Sequence, residues 1–212
     1  MSELQKLSHY LIGPNLGDHS LSAKVIGKDH YGKQHELSII EERPLTIYLN
    51  SQEVVTSMTI GDYPKYLALG FLKNQNMVKN WSDVSSIDFD EETESVVVRT
   101  SVKTDFEEKL KKRVRTSGCA VGTVFGDVID EMEDIRLPQN QIKVSWLYAL
   151  AKKINATPSL YLELGAIHGS VLCKESNPLV YMEDVGRHNA VDKVAGWMIS
   201  EKINPVDKIL YT

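Results

Sequence analysis

Residues 179–198 read LVYMEDVGRHNAVDKVAGWM, and the fold class follows from this stretch. The apolar run Leu179–Met182 predicts a strand. The acidic pair Glu183–Asp184 and Gly186 then predict a turn. Val191, Val194, Ala195 and Met198 recur at helical spacing, so a helix follows. A strand passing through a glycine turn into a helix is α/β architecture. One local rule is broken there. Helix N-termini carry partial positive charge and unpaired N–H groups, yet Arg187 and His188 stand at the start of this helix. An anion would resolve the conflict: a phosphate at the helix N-terminus with Arg187 closing on it. A second reading stands beside it, in which Glu183 and Asp184 neutralise both cations as a surface charge cluster.

Working outward, "GSVLC" (169–173) and "PLVYM" (178–182) predict two strands around the turn-rich "KESN". "VSWLYALAKKI" (144–154) predicts an amphipathic helix with Leu147, Leu150, Ala151 and Ile154 on one face. "DKILYT" starts as a strand and stops after about four strand residues, against the usual 5–6, so this half reads as incomplete at its C-terminus. The first half is richer in strands. "PLTIYLN" and "EVVTSMTI" predict one hairpin, "VSSIDFD" and "ESVVVRTS" another. Between them "PKYLALGFLKN" predicts a helix with Pro64 in its first turn. "DFEEKLKKR" reads as a short charged helix or linker. The expected organisation is a β-rich N-terminal domain over 1–103 and an α/β domain over 104–212.

The 212 residues carry 24 basic and 29 acidic side chains, a formal net charge of −5. That balance speaks against broad electrostatic capture of nucleic acid. No run approaches the ~20 apolar residues of a membrane helix, and "MSELQKLSHYLIGPN" lacks the features of a signal peptide. The chain reads as cytoplasmic, with no membrane and no nucleic-acid partner. Two cysteines are too few for a disulfide scaffold. Cys173, inside a predicted strand, reads as core. Cys119 differs: it lies among Gly118, Gly122 and Gly126, behind Lys111, Lys112, Arg113 and Arg115. Nearby cations lower a thiol pKa from its usual ~8.5 and raise the nucleophilic thiolate fraction. Glycines give the loop freedom to swing. Cys119 is the candidate catalytic residue.

Five segments carry a family resemblance: "ERPLTIYLN" (42–50), "YLALGFL" (66–72), "TSGCAVG" (116–122), "ELGAIHGSVL" (163–172) and, most specific, "EDVGRHNAVDK" (183–193). In this order they resemble the formate dehydrogenase accessory sulfurtransferase family, the FdhD/NarQ proteins. The resemblance implies a cytidine-deaminase-like mixed sheet between helices, preceded by a smaller β-rich domain, and a homodimer. It implies that Cys119 accepts persulfide sulfur from a cysteine desulfurase. The sulfur would pass to the molybdenum bis(guanine dinucleotide) cofactor, destined for apo formate dehydrogenase. His168, Gly186, Arg187, His188 and Asn189 would hold that cargo or a GDP/GTP-like nucleotide. Asp184 and Asp192 would orient these groups and cap the helix.

Two features depart from the family pattern. Gly122 stands where members often have a second thiol, so a disulfide-assisted release lacks its partner. The chain also ends before the family's later serine–glycine–arginine and glycine–arginine segments. These departures keep an alternative in view, a cofactor- or nucleotide-binding chaperone that moves no sulfur. A third reading is a degenerate relative acting only as an interaction partner. Zinc is not expected: "HGS" and "HNA" lack the glutamate of H-x-E, and no C-x-x-C occurs. His9, His19, His30 and His35 read as surface. Trp81, Trp146 and Trp197 read as core or interface anchors.

Overall fold

The computed structural model describes residues 10–78, 81–101 and 140–212, together with the backbone of 113–116 and 122–125. The alternation in "RPLTIYL" becomes strand β3 (Arg43–Leu49), after a hairpin formed by β1 (Ser22–Lys28) and β2 (Gln34–Ile40). Leu45, Ile47 and Leu49 point into the core from β3, while Thr46 and Tyr48 face the other way. β3 pairs antiparallel with β4 (Gln52–Thr59), as the hairpin reading expects. Asn50, at φ 56°, makes the tight link, and its amide holds Thr100 on both sides. Helix α1 (Pro64–Asn74) follows, then the antiparallel pair β5 (Val84–Asp90) and β6 (Ser95–Thr100). β6 runs parallel to β3, giving a mixed sheet of order β4-β3-β6-β5. Leu67, Ala68 and Leu72 of α1 pack on Val96, Val98 and the inward side chains of β3.

The sequence reading placed no element in the hairpin of residues 22–40. Its apolar residues alternate poorly, and Ile26, Leu37 and Ile39 are exposed, so burial leaves no periodic signature. His19, His30 and His35 lie on the surface as expected. His9, "DFEEKLKKR" up to Lys112, and the expected domain boundary at 103/104 fall outside the described residues.

Past the short antiparallel pair β7 (Arg113–Thr116) and β8 (Gly122–Phe125), the remaining elements are α2 (Val144–Asn155), α3 (Leu160–Leu164), β9 (His168–Lys174), β10 (Asn177–Asp184), α4 (Arg187–Ser200) and β11 (Ile209–Tyr211). A sheet of order β10-β9-β11 stands between helices. Its three described strands pair antiparallel; parallel pairing enters only at the bridge between Ile12 and Val180. Leu150 and Ile154 of α2 bury against Val171, Cys173 and Tyr181 on one face. Leu147, expected on the same face, is 45% exposed. Cys173 is core, as the sequence reading holds, and burial pushes its thiol up to about 12. On the other face Val194 and Trp197 of α4 pack on Leu172, Val180 and Met182.

α1 closes the far side of α4, so the two halves meet helix to helix. The contact is made by glycines. A Cβ on Gly70 would stand 1.7 Å from the Asp192 carbonyl oxygen, and one on Gly196 1.9 Å from that of Tyr66. Only bare backbone lets the two helices approach this closely. In order, the molecule is layered as α2, sheet, α4, α1, sheet.

Candidate functional site

The stretch 183–193 lies where these layers are joined, and most of its polar side chains turn inward. Glu183 is buried, and its two carboxylate oxygens accept the N–H groups of Leu160 and Tyr161 at 2.9 Å each. It thereby satisfies two free donors in the first turn of α3 from a neighbouring strand. Asp184 uses both oxygens. One accepts the Gly186 N–H (3.0 Å) and the Asn189 amide (2.9 Å); the other accepts the Thr59 hydroxyl (2.5 Å) and pairs with the Lys193 ammonium (2.6 Å). Lys193 is completely buried, also pairs with Asp62, and donates to the Glu183 carbonyl at 3.0 Å. Glu183 and Asp184 therefore serve Lys193 and the backbone, and the surface-cluster reading is corrected.

Asp192 does not cap the helix, as was expected; it sits inside α4 and accepts the Asn74 amide of α1 at 2.6 Å. Burial pushes its carboxyl up to about 7, and burial likewise raises Glu183 to about 7. Because these folded-state values lie above the ordinary ~4 of an unfolded carboxyl, the native state binds more protons between those limits. The stabilisation is present in full below pH ~4 and is lost as pH rises through about 7. The urea midpoint is therefore expected to fall across that window. Asp192→Asn, which keeps an acceptor for Asn74, should flatten the slope; an unchanged slope in both D192N and E183Q would contradict this account.

The outward-facing part of the stretch is small. Arg187, the first residue of α4, is exposed and makes no ion pair with a described residue. It lines a cavity of about 380 Å³ together with His168, the aromatic rings of Tyr161, Tyr181 and Tyr211, and the apolar side chains of Ile154 and Ile167. Gly169 lets the Tyr181 ring lie against β9, since a Cβ there would be 2.6 Å from it. Burial pushes the Tyr181 phenol up to about 12, so it stays neutral. The Arg187 guanidinium and the His168 ring nitrogens, set among aromatic walls, suit a ligand with an anionic end and a flat body. The volume is at the low end of the ~300–1,000 Å³ of small-molecule sites.

Of the expected site residues, then, His168 and Arg187 come together in one cavity. Gly186 and His188 lie beside it without lining it, and His188 is exposed. Asn189 is buried, with its amide occupied by Asp184, the Met58 carbonyl (2.7 Å) and the Ser57 hydroxyl (3.1 Å). Both N–H groups of its amide are thus taken, so as placed it offers no donor to a phosphate. Cys119 lies outside the described residues, in sequence between β7 and β8. Sequence reading missed the three tyrosines, which come from α3, β10 and β11 and share no spacing. It also missed Thr59 and Asp62, whose only sequence signal is polarity beside an apolar strand.

The FdhD/NarQ family model matches residues 40–212. The sulfur carrier protein FdhD of Listeria monocytogenes serovar 1/2a is 29% identical over 179 residues, which is 82% of this chain and 69% of that protein. That of Bacillus subtilis strain 168 is 28% identical over 186 residues, 84% of this chain and 71% of its own. That of Sulfolobus acidocaldarius is 29% identical, covering 84% and 68%. Among solved structures, one from Desulfotalea psychrophila, titled as a candidate formate dehydrogenase accessory protein, matches with a TM-score of 0.67. It covers 90% of this chain and 74% of that one, and at 21% identity it speaks to the fold alone.

Proposed function

The chain belongs to the FdhD/NarQ family, and on that premise we propose that it is a sulfur carrier in the maturation of formate dehydrogenase. The Cys119 thiolate attacks the outer sulfur of a desulfurase persulfide. The donor S–S bond breaks, the donor thiolate leaves, and Cys119 carries the persulfide. No electrons are gained or lost overall. The sulfur then goes to the guanine-dinucleotide form of the molybdenum cofactor, held as substrate with a phosphate at Arg187 and His168. The observation that carries this reading is the family match over residues 40–212, which contains Cys119 and the cavity residues together.

The cavity volume fits a mononucleotide-sized part of that substrate better than a paired dinucleotide. Arg187 exposed at a helix start, with no described carboxylate to neutralise it, supports an anionic ligand there. The cytidine-deaminase-like reading of residues 104–212 belongs to the same proposal, supported within 140–212 by a sheet with a helix layer on each face. A second copy of the chain, a cytoplasmic setting, a cysteine desulfurase and apo formate dehydrogenase are its proposed surroundings.

Incubation with a cysteine desulfurase and cysteine, followed by intact-mass measurement, tests the carrier step. One added sulfur per chain is expected, lost on reduction and absent in Cys119→Ala. Full loading of C119A would reject Cys119 as the carrier. Cofactor binding without any added sulfur in the unaltered protein would favour the chaperone reading.

A further inference from the structure

We propose that Thr59 and Asn189 are positioning residues for Arg187, so that the N-terminal half of the chain sets the ligand affinity of a cavity it does not line. This rests on the reading of that cavity as an anion-binding site. Arg187 makes no ion pair with a described residue. The direction in which its guanidinium enters the cavity therefore depends on the turn that begins α4. That turn is held by Asp184, whose four partners come from three places: Gly186 of the turn itself, Asn189 and Lys193 of α4, and Thr59 of β4.

Three consecutive residues at the end of β4 grip the turn. The Ser57 hydroxyl donates to Asn189, the Met58 carbonyl accepts from it, and the Thr59 hydroxyl donates to Asp184. Asn189 thus links β4 to Asp184 directly. Gly186 fits beneath the Asn189 amide, where a Cβ would lie 2.9 Å from its nitrogen. The chain leaving β4 is itself in an unusual conformation. Gly61 (φ 89°) and Tyr63 (φ 47°) both occupy the left-handed region on either side of Asp62, which pairs with Lys193. A tyrosine keeps such a φ only where its surroundings over-determine it. The β4 end, the loop after it and the first turn of α4 therefore form one braced unit, and neither Asn189 nor Thr59 lines the cavity.

A ligand pays for disorder in its site: apparent affinity falls by the fraction of time the competent arrangement is populated. If losing the Thr59 bond leaves the turn correct about one-tenth of the time, binding weakens roughly ten-fold with no ligand contact removed.

The test uses the full chain, with guanosine diphosphate as probe and calorimetry as readout. Thr59→Val, which keeps shape and removes the donor, is expected to weaken binding roughly ten-fold, and Asn189→Ala similarly. Thr59→Ser, which restores the donor, should bind within about two-fold of the unaltered chain. Hydrogen exchange at the Gly186 amide should rise in T59V and not in T59S. Persulfide loading of Cys119 should be the same in all three. If T59V and N189A bind normally while Arg187→Ala does not, the positioning role is wrong and the cavity reading stands. Equal loss in T59V and T59S means a merely structural effect and also overturns it. If R187A binds as the unaltered chain does, or that chain binds no guanosine diphosphate, the cavity reading fails and this inference fails with it.

Discussion

Replacing Lys193 with methionine is expected to destabilise the fold by about 3–5 kcal/mol, the cost of stranding buried charge. Methionine fills much of the same volume, so the loss is electrostatic more than steric. Lys193 is completely buried, and its ammonium serves Asp62, Asp184 and the Glu183 carbonyl. Without it two buried carboxylates face each other with only Thr59, Gly186 and Asn189 as donors to one of them. Asp62 already sits above the ordinary carboxylate range, because burial outweighs the single ammonium shared between two acids. The sign with pH follows. Protonating the stranded acids relieves the penalty, so K193M should lose least near pH 5 and most near pH 8. Urea unfolding at the two pH values measures this. A loss below about 1 kcal/mol at pH 8, typical of exposed pairs, would mean that the cluster is solvated.

A double replacement separates polar from packing effects. If Asp62→Asn is added to K193M, one stranded charge is gone and part of the loss should return, which neither change alone predicts under simple additivity.

The same residues show what a sequence can and cannot disclose. β3, β4, β6 and α1 were legible because one face of each is more deeply buried than the other, so hydrophobic period reports on fold directly. β9 and β10 were legible for a different reason, as short apolar runs buried on both faces, and Gly186 marks where β10 gives way to α4. The hairpin of β1 and β2 was not, since β2 is exposed on both faces and β1 buries no residue fully, which leaves little period to read. Within 183–193 the sequence showed charge gathered at a glycine turn, but not which side chains turn inward. Charged residues beside a glycine turn look alike whether they face ligand or backbone. Only tertiary packing reveals that Glu183 reaches the N–H groups of Leu160 and Tyr161, or that Asn189 reaches the end of β4. Arg187 could be singled out because its charge opposes the helix start it occupies, a conflict visible without coordinates. The cavity tyrosines carry no such conflict and stayed hidden.

Gly196→Ala is expected to be among the two most damaging added methyls at the described glycines. Two effects oppose each other. Alanine is the better helix former by about 1 kcal/mol, which alone would stabilise α4. Against this, the new Cβ would stand 1.9 Å from the Tyr66 carbonyl oxygen and 2.6 Å from its carbon. Both are backbone atoms of α1, so no side chain can rotate away. Relief requires the helices to separate by roughly 1.5 Å, which restores the ~3.4 Å of ordinary contact. That movement would stretch the Asp192–Asn74 bond and the Lys193–Asp62 pair, both of which cross the same seam. Overpacking costs typically 1–3 kcal/mol and more where the backbone must shift. With two buried polar links strained as well, a net loss of about 3 kcal/mol is expected despite the helix propensity gained. Gly17→Ala is the control: its Cβ meets nothing within 4 Å, and its midpoint should move little. Gly70→Ala should match or exceed the loss, since its Cβ falls 1.7 Å from the Asp192 carbonyl on the opposite side of the crossing. Denaturation midpoints for the three variants decide the matter. If G196A proves as stable as the unaltered chain, α1 and α4 do not cross backbone to backbone, and the link between the two halves must lie elsewhere.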